Sequence, residues 1–318
     1  MKKKFILLGI DHPHCNAMIN AIALRNDIEF TAVAQETSPF ADEFATESGV
    51  KCYRKYLDAL DVEKPDIVGI AMYNGARGEF IYEALSRNIP VITDKPLCLS
   101  MADFKRIKNM VNKKNTPLCM MLTCRSNPAY VAMKNAVRDG LIGEVLSVDA
   151  VRYYALNRPS RQAWMFNRKS YGGPGIDILI HDYDLARWVT GIDWPDIVLN
   201  EYRSGHVSDE DFSDGANINS YDNNRLLTLK MLWNSHKEHW DRFTILGTKG
   251  FLEMSFCDKR VAHVNEKGEI NYLDLSFSIK PFATQFFDAL LDGCMNFPVS
   301  SEDSLLITER LIKAIEKI

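Results

Sequence analysis

The residues best suited to chemistry stand in one stretch, Gly172-Gly173-Pro174-Gly175-Ile176-Asp177-Ile178-Leu179-Ile180-His181-Asp182-Tyr183-Asp184. Read as a helix after a glycine turn, it puts Asp177, His181 and Asp184 at i, i+4 and i+7, on one face. Ile176, Ile178, Leu179 and Ile180 surround that face with apolar surface. An imidazole beside carboxylates, shielded from water, is suited to proton transfer, because its ordinary pKa is near neutral and its neighbours tune it. The competing reading is a polar helix start, with Asp177 against the dipole and His181 satisfied in the core.

Three further groups could take part. Asp94-Lys95-Pro96 follows the apolar run Val91-Ile92-Thr93, so Lys95 emerges at the end of a buried strand. An ammonium there must be paired, with Asp94 as the nearest partner, or used on a substrate. His12-Pro13-His14-Cys15 follows the first apolar run. Two imidazoles and a thiol could ligate a metal, but no further protein ligand is apparent nearby in sequence. Polar turn residues near a ligand mouth are the better reading, and no metal is expected. His236-x-x-His239 reads as an exposed hairpin connection between strands over 226–233 and 242–246.

The elements that position these groups follow from periodicity. Short apolar runs at 4–10, 30–34, 66–72, 90–93 and 117–123 alternate with helical patterns at about 14–24, 39–48, 57–62, 78–87 and 102–112. That alternation predicts a doubly wound parallel sheet over residues 1–123, with ligands bound beyond the carboxyl ends of the strands. Its first turn, Gly9-Ile10-Asp11-His12-Pro13-His14, keeps only the first glycine of the Gly-x-Gly-x-x-Gly pattern. Asp11 stands where the second belongs, so its charge is expected to compete with a phosphate for the helix N-terminus. After the second strand, Gln35 can still bond a ribose, and Glu36 follows it. From residue 124 onward, two-sided strands at 145–154, 198–203, 226–233, 242–246, 251–256 and 261–264 predict an α+β domain with a mainly antiparallel sheet, completed by a helix over 304–317. The two domains are expected to enclose a cleft.

Composition excludes several classes. The chain has 318 residues and a formal net charge of -4, so it offers no basic footprint for nucleic acid or an anionic membrane. The apolar run after Lys2-Lys3-Lys4 breaks at Asp11, too early for a secretion signal, and nothing approaches a membrane span. Seven scattered cysteines without a Cys-x-x-Cys pair fit a reduced, cytoplasmic location.

Together the motifs resemble those of the Gfo/Idh/MocA oxidoreductases, over almost the whole length. Asp94-Lys95-Pro96 is similar to the family's Glu-Lys-Pro. Gly172-Gly173-x-Gly175-x-Asp177-x-x-x-His181-x-x-Asp184 is similar to its second signature, and Arg125-Ser126-Asn127-Pro128, Gly140-x-x-Gly143-Glu144 and Gly247-Thr248-x-Gly250 also match. The resemblance implies a Rossmann domain binding NAD or NADP, and a C-terminal sheet that assembles a homodimer or homotetramer. It implies that Lys95, Asp177 and His181 meet at the carbinol of a sugar, polyol or cyclitol. The cofactor is expected at Gly9, Asp11, His12, His14, Gln35, Met72, Asn74, Asp94 and Lys95. The small-molecule substrate is expected at Lys95, Arg125, Tyr154, Trp164, Asp177 and His181. The rivals are a non-redox sugar enzyme on the same scaffold, a binding protein that has lost the nucleotide, and a metal-dependent hydrolase using His12, His14 and His181.

Overall fold

A computed structural model describes residues 1–317 apart from 37, 39, 206, 208–210, 256–258 and 295, and apart from the side chains of 237 and 238. Pro39, Phe256 and Cys257, which figure in the sequence reading, lie outside the described residues. The chain divides into two compact units.

The first unit opens with β1 (Lys3–Leu8), α1 (His14–Ala23), β2 (Ile28–Ala34), α2 (Ala41–Ser48), β3 (Lys51–Tyr53), α3 (Tyr56–Glu63), β4 (Ile67–Ile70), α4 (Asn74–Ser86), β5 (Val91–Thr93), α5 (Met101–Lys114) and β6 (Leu118–Met120). Its sheet is parallel throughout, in the order β3-β2-β1-β4-β5-β6. This is the doubly wound arrangement in which strand order reverses beside the first strand. The alternation of apolar runs and helical patterns predicts every strand but β3. That strand, Lys51-Cys52-Tyr53, has no buried residue and so no apolar signature.

The second unit is built on α6 (Pro128–Arg138), β7 (Val145–Ala155), the one-turn helix α8 (Pro174–Asp177), α9 (Leu179–Thr190), and strands β8 (Ile197–Tyr202), β9 (Gly215–Asp222), β10 (Arg225–Leu232), β11 (Asn234–Gly247), β12 (Gly250–Ser255), β13 (Arg260–Asn265) and β14 (Ile270–Tyr272); the one-turn helix α7 (Arg168–Tyr171) before α8 falls in the first unit except for Arg168. Eight strands form one sheet in the order β14-β13-β12-β11-β7-β10-β9-β8. All neighbours are antiparallel except β10 and β7. The expected hairpin through His236 and His239 is therefore not present. β10 and β11 lie on opposite sides of β7, and the chain crosses from one edge of β7 to the other at Trp233. His239 pairs with Tyr154 while Asn234 pairs with Ala155, so residues 235–238 form a bulge. Both histidines are exposed, as expected of that stretch.

The first unit runs from Met1 to Leu122 and takes in two later segments. Residues 169–171 and 280–309 belong to the first unit. Helix α10 (Phe282–Leu291) sets Phe287 edge-on against Phe5 of β1, with ring centroids 5.8 Å apart, and Asp288 pairs with Arg25 at 2.6 Å. Helix α11 (Ser301–Ile315) offers the Ser301 and Ser304 hydroxyls to the N–H groups of Leu118 and Met120 at 2.9 and 3.2 Å. β6 is an edge strand, and these serines satisfy donors that its sheet leaves open. No helix of the described residues is long and apolar enough to cross a membrane, and no disulfide forms among the described cysteines.

Candidate active site

In the first unit the site is the set of loops at the carboxyl ends of β1, β4 and β5. Gly9 leaves β1 with φ +85°, and a Cβ there would lie 2.4 Å from backbone atoms of Met72. Only glycine fits this crossing of two chain segments. Asp11 does not face outward as expected. Its carboxylate is buried, accepting from the Gln35 amide at 3.1 Å and from the Tyr73 N–H at 3.2 Å. The carboxylate is thus hydrogen-bonded inside the turn. Gln35 is fully buried, its Oε1 accepts from the Ile10 N–H at 2.7 Å, and its amide braces the turn. The exposed acid after β2 is Glu36, which accepts from the Tyr56 N–H at 3.1 Å.

Asp94, at the mouth of β5, is the electrostatic centre of these loops. Its carboxylate is 0% exposed. Oδ1 meets His14 Nδ1 at 2.6 Å and accepts from the Lys95 N–H at 2.8 Å. Oδ2 meets His12 Nδ1 at 2.9 Å and Arg77 Nη2 at 3.3 Å. Burial pushes this carboxyl up, but the two imidazoles and the guanidinium outweigh it and hold it well below the usual range. Burial lowers the His12 imidazole, and Asp94 works against that fall. Cys15 is buried and its thiol is pushed up to about 11.

Arg77 is the residue that sequence reasoning missed. It is fully buried and donates to the Met72 carbonyl at 2.7 Å, to Pro96 O at 3.0 Å and to Lys95 O. It thereby ties the end of β4 to the loop that carries Lys95. Its signal was legible: Arg77 stands three and four residues before the buried Phe80 and Ile81, a charge on the apolar face of α4. Met72 and Asn74 are buried in the same loops. Asn74 donates to Tyr171 O at 2.8 Å, and its Oδ1 is a buried acceptor with no donor among the described residues.

In the second unit the glycine stretch behaves differently from a single helix. α8 ends at Asp177 and α9 begins at Leu179, with Ile178 between them as a turn residue that keeps right-handed helical angles (φ -100°, ψ -52°). Asp177 and His181 thus sit on two successive helices, both largely buried. The glycines serve close packing on β8. A Cβ at Gly173, where φ is +98°, would lie 2.4 Å from Glu201 Oε1, and one at Gly175 would lie 2.9 Å from the same atom. Glu201 accepts from the Gly175 N–H at 2.9 Å and pairs with Arg168.

Burial raises the Glu201 carboxyl, and Arg168 offsets only part of that rise. A carboxyl whose folded pKa lies above its unfolded value keeps its proton longer when folded. Its contribution to stability is complete below about pH 4 and is lost as pH rises through the raised value. Glu201→Gln, which cannot titrate, is expected to gain stability relative to the wild type between about pH 4 and pH 7. Thermal melts of both proteins across that range check this; a constant gap contradicts it.

The other carboxylates of α9 are ion-pair partners. Asp184 holds Arg125 through both oxygens, Nε lying 3.0 Å from Oδ2 and Nη2 2.5 Å from Oδ1. Asp182 holds Arg152 at 2.7 Å. Arg125, expected at the substrate, is instead a buried brace between the segment before α6 and α9. Tyr154 extends the second pair: its hydroxyl accepts from Arg152 at 2.8 Å and lies 3.5 Å from Asp241. Trp164 is half-buried and donates to Gln162 Oε1 at 2.8 Å.

Comparison with known proteins accounts for both units. The model described as "Oxidoreductase family, NAD-binding Rossmann fold" matches residues 8–122, and the one described as "GFO/IDH/MocA C-terminal domain" matches residues 130–253. The chain is 26% identical over 259 residues to the scyllo-inositol 2-dehydrogenase (NAD(+)) of Bacillus subtilis, covering 78% of this chain and 71% of that one. It is 27% identical over 195 residues to the inositol 2-dehydrogenase of Salmonella typhimurium, covering 59% and 53%. The chain spans a third to about half the length of the first curated relatives it matches. A solved levoglucosan dehydrogenase in complex with NADH has the same fold, with a TM-score of 0.82 at 17% identity, covering 100% of this chain and 98% of that one.

Proposed function

Because this chain belongs to the GFO/IDH/MocA oxidoreductase family, we propose that it is a nicotinamide-dependent dehydrogenase acting on the CH–OH group of a sugar, polyol, cyclitol or related hydroxy compound. The observation that carries the reading is the conjunction of the two family matches with a buried lysine at the mouth of β5 and a buried Asp177 and His181 after the glycine run.

The residues fit the cofactor. The Gly9 turn opens onto the N-terminus of α1, whose positive dipole end suits a pyrophosphate. The Asp11 carboxylate is hydrogen-bonded inside that turn. Asn74 Oδ1 is a buried acceptor that a ligand donor would satisfy. When bound, the nicotinamide supplies the hydride acceptor. His181 takes the hydroxyl proton at an imidazole nitrogen. Asp177 orients that imidazole or holds a neighbouring hydroxyl. Lys95 stabilises the negative charge developing on the carbinol oxygen. Tyr154 and Trp164 are the aromatic candidates for the sugar pocket; Arg125 is left out, being spent on Asp184. The exposed apolar side chains of the sheet, among them Val198, Tyr221, Trp240 and Ile270, support assembly into a homo-oligomer.

NADH formation with a panel of inositols, polyols and sugars tests the reading. Tight NADH binding without net NADH production would transfer support to the non-redox alternative. No binding of NADH would remove the dehydrogenase. Glu36 gives a sharper expectation. An acid at the end of β2 accepts from ribose hydroxyls and repels a 2′-phosphate. NAD is therefore expected to be preferred over NADP by on the order of 10–100-fold. Glu36→Ala should narrow that preference, as read by titrating both dinucleotides; an unchanged ratio assigns the discrimination elsewhere.

A further inference from the structure

We propose that His12, His14 and Asp94 form a binding site for a divalent first-row transition metal ion, a role separate from the hydride chemistry above. One ligand atom from each of the three residues lies within 4.8 Å of the others. The two Nδ1 atoms address different oxygens of a single carboxylate, at 2.9 and 2.6 Å. Two neutral imidazoles and one carboxylate match the borderline ions, zinc and iron(II) above all, and leave coordination positions open for water or a ligand.

The local structure favours this set over chance proximity. Pro13 stands between the histidines and stiffens the turn that aims both rings. The rings are 4.5 Å apart, edge to face. The His12 and His14 side chains are 22% and 26% exposed, whereas Asp94 is fully buried. The two imidazoles are thus the part of the set that solvent reaches. The surrounding charges set the strength. Arg77 shares Oδ2 of Asp94 at 3.3 Å and offsets part of its negative charge. Three ligands with one partly neutralised place this ion among exchangeable metals, not permanently structural ones. The sequence shows two of the ligands at i and i+2; the third stands 80 residues away from His14, and the pairing of β1 with β4 and of β4 with β5 brings it there.

The test uses the whole chain, stripped with a chelator and desalted. Zinc is titrated by calorimetry, its stoichiometry is read by elemental mass spectrometry after gel filtration, and cobalt(II) is added to a parallel sample for its visible d–d absorption. One zinc per chain is expected, with His12→Gln and His14→Gln each weakening binding by at least ~10-fold. Asp94→Asn removes a partner of Arg77 and risks the fold, so the histidine variants carry the argument, with thermal melts of the stripped proteins as the control. Absence of stoichiometric zinc in the wild type overturns the proposal. So does binding that survives unchanged in both histidine variants. NADH binding to the stripped protein reports on the dehydrogenase separately: a chain that binds NADH and no metal defeats this inference alone.

Discussion

Replacing Arg77 by methionine is expected to lower stability by about 3–5 kcal/mol, with a fall in Tm of roughly 10 °C. The guanidinium is fully buried, and its removal strands the carbonyls of Met72, Lys95 and Pro96 and one partner of a buried carboxylate. A buried acceptor left without its donor costs its full desolvation, about 1–3 kcal/mol each, which is why the loss exceeds that of an ordinary surface arginine. Methionine replaces much of the side-chain volume, so the deficit is polar and not a cavity. Arg77→Lys should rescue little, because a single ammonium cannot reproduce the planar fork that reaches two loops at once. The loop that carries Lys95 depends on this clamp, so substrate KM is expected to rise in any variant that still folds. Denaturant unfolding of the two variants measures the effect; a cost below about 1 kcal/mol for methionine would show that the clamp is dispensable.

Lys95→Ala and His181→Ala are each expected to lower kcat by about 10²–10⁴-fold on a substrate that the wild type oxidises. The two losses have different causes. Without Lys95, charge builds on the carbinol oxygen with no cation to meet it. Without His181, the hydroxyl proton has no base of suitable strength. Both residues are buried, so melts must accompany the kinetics. The discriminating readout is pH. Loss of a general base removes the acid limb of the rate profile and leaves a rate that rises with hydroxide concentration, whereas loss of a charge stabiliser lowers the profile without reshaping it. Turnover that is unchanged in both variants refutes the assignment. Because these groups act together, the double variant should lose less than the product of the single losses.

Much of the fold is legible in the residues themselves. Apolar runs separated by helical periodicity announce the parallel sheet of the first unit, because a strand covered on both faces has no polar side to show. The alternation of the second half announces a sheet with one wet face. The glycine-rich stretch, the lysine after β5 and the aspartate–histidine spacing mark where chemistry is expected, since short motifs of that kind are local in the chain. Three things were decided only by the tertiary structure. The side of β7 on which β10 and β11 pair depends on long-range register, to which the local pattern of Leu226–Trp233 is indifferent. The return of residues 280–309 to the first unit depends on Phe5 and an open strand edge that lie far away in sequence. Above all, the direction in which each charge faces is a tertiary fact. Asp11 and Gln35 satisfy each other inside a turn, Arg125 is taken by Asp184, and Asp94 gathers two histidines and an arginine. Burial makes a charge seek whichever partner the packing brings within reach, and a residue's type says only that it will need one.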